Sequence, residues 1–138
     1  MRHVFDVVGL EAKVKTILAA HPTLSMHGVA VVGEGILPVI DIEGQRKVER
    51  EALLSLDSLR AISVAMGWIQ CYLVKDTQIN RQRTSYGLKH VAERWTGYLT
   101  TGQFIVAMLV LGFRLEWAGN DVLFNVKEGS VRQAENAQ

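Results

Sequence analysis

The sequence predicts an α+β fold: an N-terminal helix with its own β-hairpin, then three helices and a second hairpin in a winged-helix-like order. Three observations predict it. Apolar residues recur at intervals of three and four in four stretches, as helices with a buried stripe require. Apolar runs of strand length flank glycine-containing turns in two places, the pattern of hairpins. The polar stretch from Gln45 to Glu51 separates an α-β-β segment, residues 1–50, from a helical segment with its hairpin, residues 55–126. With 138 residues, 49% of them apolar, the chain has the size and core of a single domain over residues 1–126, with a flexible tail at 127–138.

Residues 1–8 suit a strand or the lead-in to a helix equally well. Over residues 9–20, Leu10, Val14, Ile17 and Leu18 make one helical face opposite Lys13 and Lys15, and His21 with Pro22 stops the run. Residues 28–32 and 36–42 read as two strands around Gly33, Glu34 and Gly35; Pro38 has no amide hydrogen for a ladder, which puts the second strand at an edge or gives it a bulge there. The stretch Gln45 to Glu51 suits a linker, a solvated strand or an extra helical turn. From Asp57, the expected N-cap, a helical stripe runs through Leu59, Ile62, Met66, Ile69 and Leu73, with Trp68 and Tyr72 beside it.

Thr84 or Ser85 caps the next helix. Its inner face is Leu88, Val91, Ala92 and Trp95, while Lys89, His90, Glu93 and Arg94 look outward, and Gly97 is the stop. Thr100 or Thr101 caps the successor, where Phe104, Ile105, Met108, Leu109 and Leu111 fill one side and Val106, Ala107 and Val110 the other. A helix apolar on every side is buried on every side. After Gly112, residues 114–118 and 122–126 alternate around an Ala-Gly-Asn-Asp turn. Residues 127–138 are polar and lack aromatics, so they read as a frayed tail.

The single cysteine, Cys71, has no disulfide partner and no metal-ligand spacing around it, and reads as a small core residue beside Trp68, Tyr72 and Leu73. Residues 1–10 lack the apolar run of a signal peptide. The uncharged stretch 95–113 is interrupted by Gly97, Thr100, Thr101, Gly102 and Gln103, which leaves a core helix rather than a membrane span. The expectation is a cytoplasmic protein with no membrane partner. A formal net charge of +1 does not announce a nucleic-acid binder. Its distribution is uneven: between Lys75 and Arg94 five bases stand against two acids, a local +3 that leaves −2 for the rest.

Those cations are the first candidate site. Arg81, Arg83, Lys89, His90 and Arg94, mixed with Asn80 and Gln82, suit contact with phosphates at a helix N-terminus, although a solvated polar face gives the same pattern. The second helix of the pair offers no polar side chain to base edges, so DNA contact would fall to the loop, the first helix and the hairpin. The second candidate is aromatic. Trp68, Tyr72, Tyr86 and Trp117, with Phe124, exceed what one stripe buries, and some of them suit a protein-binding patch or a homodimer seam, or else they complete the core. The four histidines, at positions 3, 21, 27 and 90, have no helical ligand spacing, so no metal or other cofactor is expected. His90 with Glu93 reads as a surface pair, and Asp41 with Glu43 as one exposed strand face. No convergent catalytic set is visible, which points away from an enzyme. Gly87 inside a helix costs about 1 kcal/mol relative to Ala, for which close helix packing or the approach of a partner is the expected reason.

The run Ser85 to His90 (Ser-Tyr-Gly-Leu-Lys-His), with Glu93, then Thr101 to Ile105 (Thr-Gly-Gln-Phe-Ile) and Gly112-Phe113, resembles a group of small proteins from phages and integrative mobile elements. The likeness spans roughly residues 57–115. The resemblance implies the cytoplasm of a bacterial host cell and a role in mobile-element biology: repression, DNA handling or inhibition of a host defence system. It carries over no catalytic residue. The combined expectation is a non-enzymatic binding protein with DNA as first-choice partner. The alternative is a protein-binding inhibitor of a host complex, of the anti-defence or anti-CRISPR kind.

Overall fold

The computed structural model describes residues 6–27, 42–119 and 121–137. Among them, six helices and one two-stranded antiparallel hairpin make an α+β arrangement. Asp6 opens α1 (Val7–Ala20) by accepting a hydrogen bond from the Gly9 amide at 3.0 Å, and Leu10, Val14 and Leu18 line its buried face. The expected N-terminal hairpin falls on residues 28–42, of which 28–41 lie outside the described residues. Ile42 itself opens a helix, α2 (Ile42–Ala52), so Gln45 to Glu51 is helical and Glu43 lies in its first turn rather than on a strand. Arg50 of α2 donates to the carbonyls of Leu18, His21, Pro22 and Leu24 at 2.5 to 3.1 Å. Two of these, Leu18 and His21, lie at the end of α1, where the last turn leaves carbonyls without helical partners.

The central helix is α3 (Leu56–Tyr72), which packs against α1, α4 (Ser85–Thr96), α5 (Thr101–Val110) and α6 (Glu128–Asn136). Its cap is Ser55, whose hydroxyl accepts from the Ser58 amide at 3.2 Å; Asp57, the expected cap, lies one residue inside the first turn. Leu59, Ile62, Trp68, Ile69 and Leu73 are buried and Met66 is half-buried, close to the expected stripe. Cys71 is exposed, not a core residue: it falls on the outer side of α3.

α4 starts on Thr84, whose hydroxyl accepts from the Gly87 amide at 3.1 Å, and stops at Gly97, where φ is +79°. α5 (Thr101–Val110) begins with a reciprocal pair: Thr100 Oγ1 accepts from the Gln103 amide and Gln103 Oε1 accepts from the Thr100 amide. Gln103 Nε2 then donates to Ser58 Oγ at 3.1 Å, which fixes the start of α5 on α3. Residues 102–108 are all buried, as a helix apolar on every side requires. Gly102 has a further reason. Its amide donates to Met26 O at 2.9 Å, and a Cβ there would lie 1.9 Å from Ser25 O. The helix ends in paired bonds, Gly112 to Leu109 O and Phe113 to Met108 O, with Gly112 at φ +88°.

β1 (Leu115–Ala118) pairs with β2 (Asp121–Phe124) in the register Leu115 with Phe124 and Trp117 with Val122. The α3–α4 connection runs along β2 almost as a third strand: Asp76 donates its amide to Asn125 O and Asn80 to Phe124 O, both at 2.8 Å. The expected frayed tail is instead a helix, α6 (Glu128–Asn136), that buries Ser130, Val131 and Ala134. Ser130 Oγ accepts from the Val74 amide at 3.1 Å, and the Lys127 amide donates to Val74 O at 2.8 Å, so α6 is sewn to the end of α3. Among the described residues no single helix is long and apolar enough to cross a membrane.

Candidate interaction face

Lys89 departs from its expected outward position. It borders the inner side of α4, and its long stem lets the ammonium lie beneath two tyrosine rings, 5.3 Å from the centre of Tyr86 and 5.6 Å from that of Tyr98. Only 6% of the residue is exposed, whereas Tyr86 and Tyr98 are 56% and 74% exposed. Glu93 completes the arrangement from the next turn. Its Oε1 lies 3.2 Å from Lys89 Nζ and 3.1 Å from His90 Nδ1, and its Oε2 accepts from the Leu99 amide at 2.9 Å. Burial pushes the Glu93 carboxyl up, but the Leu99 amide and the Lys89 ammonium outweigh it and hold the group below its ordinary value. Tyr86 packs edge-on to His90 with ring centres 4.4 Å apart. The outer surface of α4 and the turn after it therefore carry two exposed tyrosine rings and an imidazole over an internally compensated charge.

The other basic candidates are already engaged. Arg83 forks both ways: Nε and Nη2 reach Glu128 at 2.8 to 3.1 Å, and Nη1 and Nη2 reach Glu135 at 3.0 and 2.9 Å. Asn80 and Arg132 also donate to Glu128, at 3.0 and 3.2 Å. The Arg83 hydrogen bonds, opposed by burial, bring the Glu128 carboxyl down to about 2 and lift the Arg83 guanidinium above its usual range. Arg81 pairs with Glu116 of β1 at 2.5 and 3.1 Å, across the surface. Arg94 is exposed on α4, and its charge contributes to lowering the Glu135 carboxyl, after the larger effect of Arg83.

The structure divides the aromatic candidates among three places. Trp68 is buried and Tyr72 half-buried in a ladder with Trp95, with ring centres 5.7 and 6.0 Å apart. Trp95, expected on the inner face of α4, is 51% exposed at the outer end of that ladder. Trp117 is 37% exposed on β1. Tyr86 alone of the four joins the Lys89 cluster. It also borders a surface hollow of about 300 Å³ shared with His27, Thr101, Ala118 and Asp121. Ser85 Oγ donates to Asp121 Oδ1 there, which ties the start of α4 to the hairpin.

Two members of the face have no counterpart among the sequence candidates. Tyr98 lies between Gly97 and Leu99 in a short turn, outside any periodic pattern, so its only signal is a large ring beside a helix stop. Glu93 is visible as a partner for His90, but its bonds to Lys89 and the Leu99 amide depend on how the chain turns at Gly97. Among the described residues no group of three His, Cys, Asp or Glu side chains is placed to hold a metal ion. Comparison with protein-family models, with curated proteins and with solved structures finds no match for the chain.

Proposed function

We propose that the chain is a non-enzymatic binding protein whose contact surface is the outer face of α4, and that its partner is a protein. The observation that carries this is the exposed pair Tyr86 and Tyr98 packed about the buried Lys89 ammonium. Tyrosine offers a large contact area on few rotatable bonds, so ordering these rings on binding costs little of their contact energy. Gly87, next to Tyr86, supports the reading. Among the described residues, a methyl there would meet only Thr84 Oγ1, at an ordinary 3.5 Å, so packing between the described helices does not explain the glycine. Close approach of a partner's backbone does. The setting, a phage or integrative element in a bacterial cytoplasm, follows from the likeness carried by residues 85–113, and inhibition of a host complex suits a small protein with such a face.

Duplex DNA is the second reading. It is supported by the order α3, α4, α5, hairpin, which is that of a winged helix, and by exposed His90 and Arg94. It ranks second because Arg81 and Arg83 would have to exchange Glu116, Glu128 and Glu135 for phosphates. Titration of labelled duplex across a salt series separates the two. Protein binding at α4 predicts no saturable duplex binding at physiological salt. Binding that weakens steeply with salt and is lost in Arg94→Ala would replace it with the DNA reading.

A further inference from the structure

The hairpin strand β1 has an open outer side. β2 is hydrogen-bonded to β1 on one side and to the α3–α4 connection on the other, whereas among the described residues nothing pairs with the far side of β1. The register decides which groups face outward. The Asn125 amide donates to Arg114 O at 3.2 Å, and antiparallel ladders alternate. Arg114, Glu116 and Ala118 therefore turn their backbone groups toward β2, while Leu115 and Trp117 each turn an N–H and a C=O away from it. Such an edge is a template for another strand, and lysine, proline or a bulge commonly blunts it. Residues 115–118 contain no lysine or proline and pair in unbroken register, and the one charge among them, Glu116, is matched by Arg81.

The same four residues are self-complementary. When two copies run antiparallel about an axis through Glu116, Leu115 of each lies opposite Trp117 of the other. Those are the residues with outward backbone groups, so every outward N–H meets an outward C=O. On one face of the ribbon the half-buried Leu115 side chain meets the Trp117 ring of the second copy, which the free chain leaves 37% exposed. On the other face the two Glu116 carboxylates meet, which alone would oppose pairing. Cations surround them. Each Glu116 keeps its own Arg81, and Arg114 becomes the diagonal neighbour of the second copy's Glu116, within reach of a long side chain. Arg114 is exposed, donates to Thr77 O at 2.6 Å and has no carboxylate partner among the described residues.

We propose that the chain forms a homodimer by pairing β1 with β1 of a second copy, which makes one antiparallel sheet across both. The strand is short, so the interface falls below the size of stable complexes and the dimer is weak, with a Kd of about 0.1 mM.

The test is sedimentation equilibrium of the full chain from about 5 μM to 1 mM, with amide hydrogen exchange followed over the same range. Mass is expected to rise toward that of two chains, and the Leu115 and Trp117 amides to exchange more slowly as it does. Two variants at exposed positions probe the contacts: Trp117→Lys removes the ring, and Arg114→Glu sets a carboxylate beside Glu116 of the second copy. Each should weaken the dimer about tenfold or more with an unchanged circular dichroism spectrum. Tyr86→Ala plus Tyr98→Ala should dimerise as the wild type does. A monomer at every concentration, unchanged exchange at Leu115 and Trp117, undiminished dimerisation by either β1 variant, or a dimer lost in the tyrosine variant would overturn the proposal. The β1 edge shares no residue with the α4 face, so these outcomes are independent of the partner assigned above.

Discussion

The Lys89 ammonium lies 3.2 Å from Glu93 Oε1 and beneath the ring of Tyr86, so one buried cation orders both a carboxylate and an exposed aromatic side chain. Replacement by Lys89→Met keeps the apolar stem and removes the charge. The remaining Glu93 carboxylate loses its strongest cation, and the variant should be destabilised by about 2 kcal/mol, read as a lower urea midpoint at unchanged slope. An unchanged midpoint would mean that the ammonium does not organise the face.

The Arg83 clamp predicts an acid-sensitive attachment of α6. Glu128 is held at about 2 against an ordinary 4.5, so its contribution is fully present above pH 4.5 and is lost as pH falls toward 2. In Arg83→Met the folded-state Glu128 carboxyl rises toward its ordinary value, so that window narrows, the loss between pH 4.5 and 2 shrinks, and stability at neutral pH drops by about 1–2 kcal/mol. Urea midpoints measured between pH 2 and 7 check this. Parallel curves for the two proteins would contradict it.

Two glycines should behave oppositely. Gly102→Ala drives a methyl into Ser25 O and should cost about 3 kcal/mol or prevent folding, since the obstacle is backbone rather than a movable side chain. Gly87→Ala makes an ordinary contact of 3.5 Å with Thr84 Oγ1 and should stabilise the free protein by about 0.5–1 kcal/mol, while weakening partner binding. Thermal melts of both variants decide the point. A destabilised Gly87→Ala would remove the argument that a partner approaches there.

Among the described residues, no hydrogen-bond acceptor meets the buried Trp68 Nε1. Trp68→Phe removes that unsatisfied group along with part of the ring, so the two effects oppose one another and the net change should stay within about 1 kcal/mol. A loss of about 3 kcal/mol or more, the range for an emptied aromatic core site, would show that ring volume dominates.

The helices α3, α4 and α5 are legible in the sequence because stripe and termini agree: Leu59, Ile62 and Ile69 keep helical spacing, Thr84 and Thr100 precede their helices, and Gly97 and Gly112 follow them. α6 is not, because its buried side is only Ser130, Val131 and Ala134, and its attachment relies on Arg83 and on the Val74 backbone, distant in sequence. Lys89 shows the limit of periodicity. A residue at the margin of an apolar stripe goes inside when its stem is long enough to bring the charge to a carboxylate and when rings are available to cover it. The engagement of Arg81 and Arg83 is equally hidden, since their partners Glu116, Glu128 and Glu135 are 35 to 52 positions away.

Affinity capture from a bacterial host lysate with tagged wild-type chain and with Tyr86→Ala plus Tyr98→Ala, quantified by mass spectrometry, tests the central claim most directly. Both substitutions are at exposed positions, so the double variant should keep its fold. The proposed role predicts one protein recovered in stoichiometric amount by the wild type and depleted by about tenfold or more with the double variant. Recovery of the same protein in equal amount by both forms would contradict it.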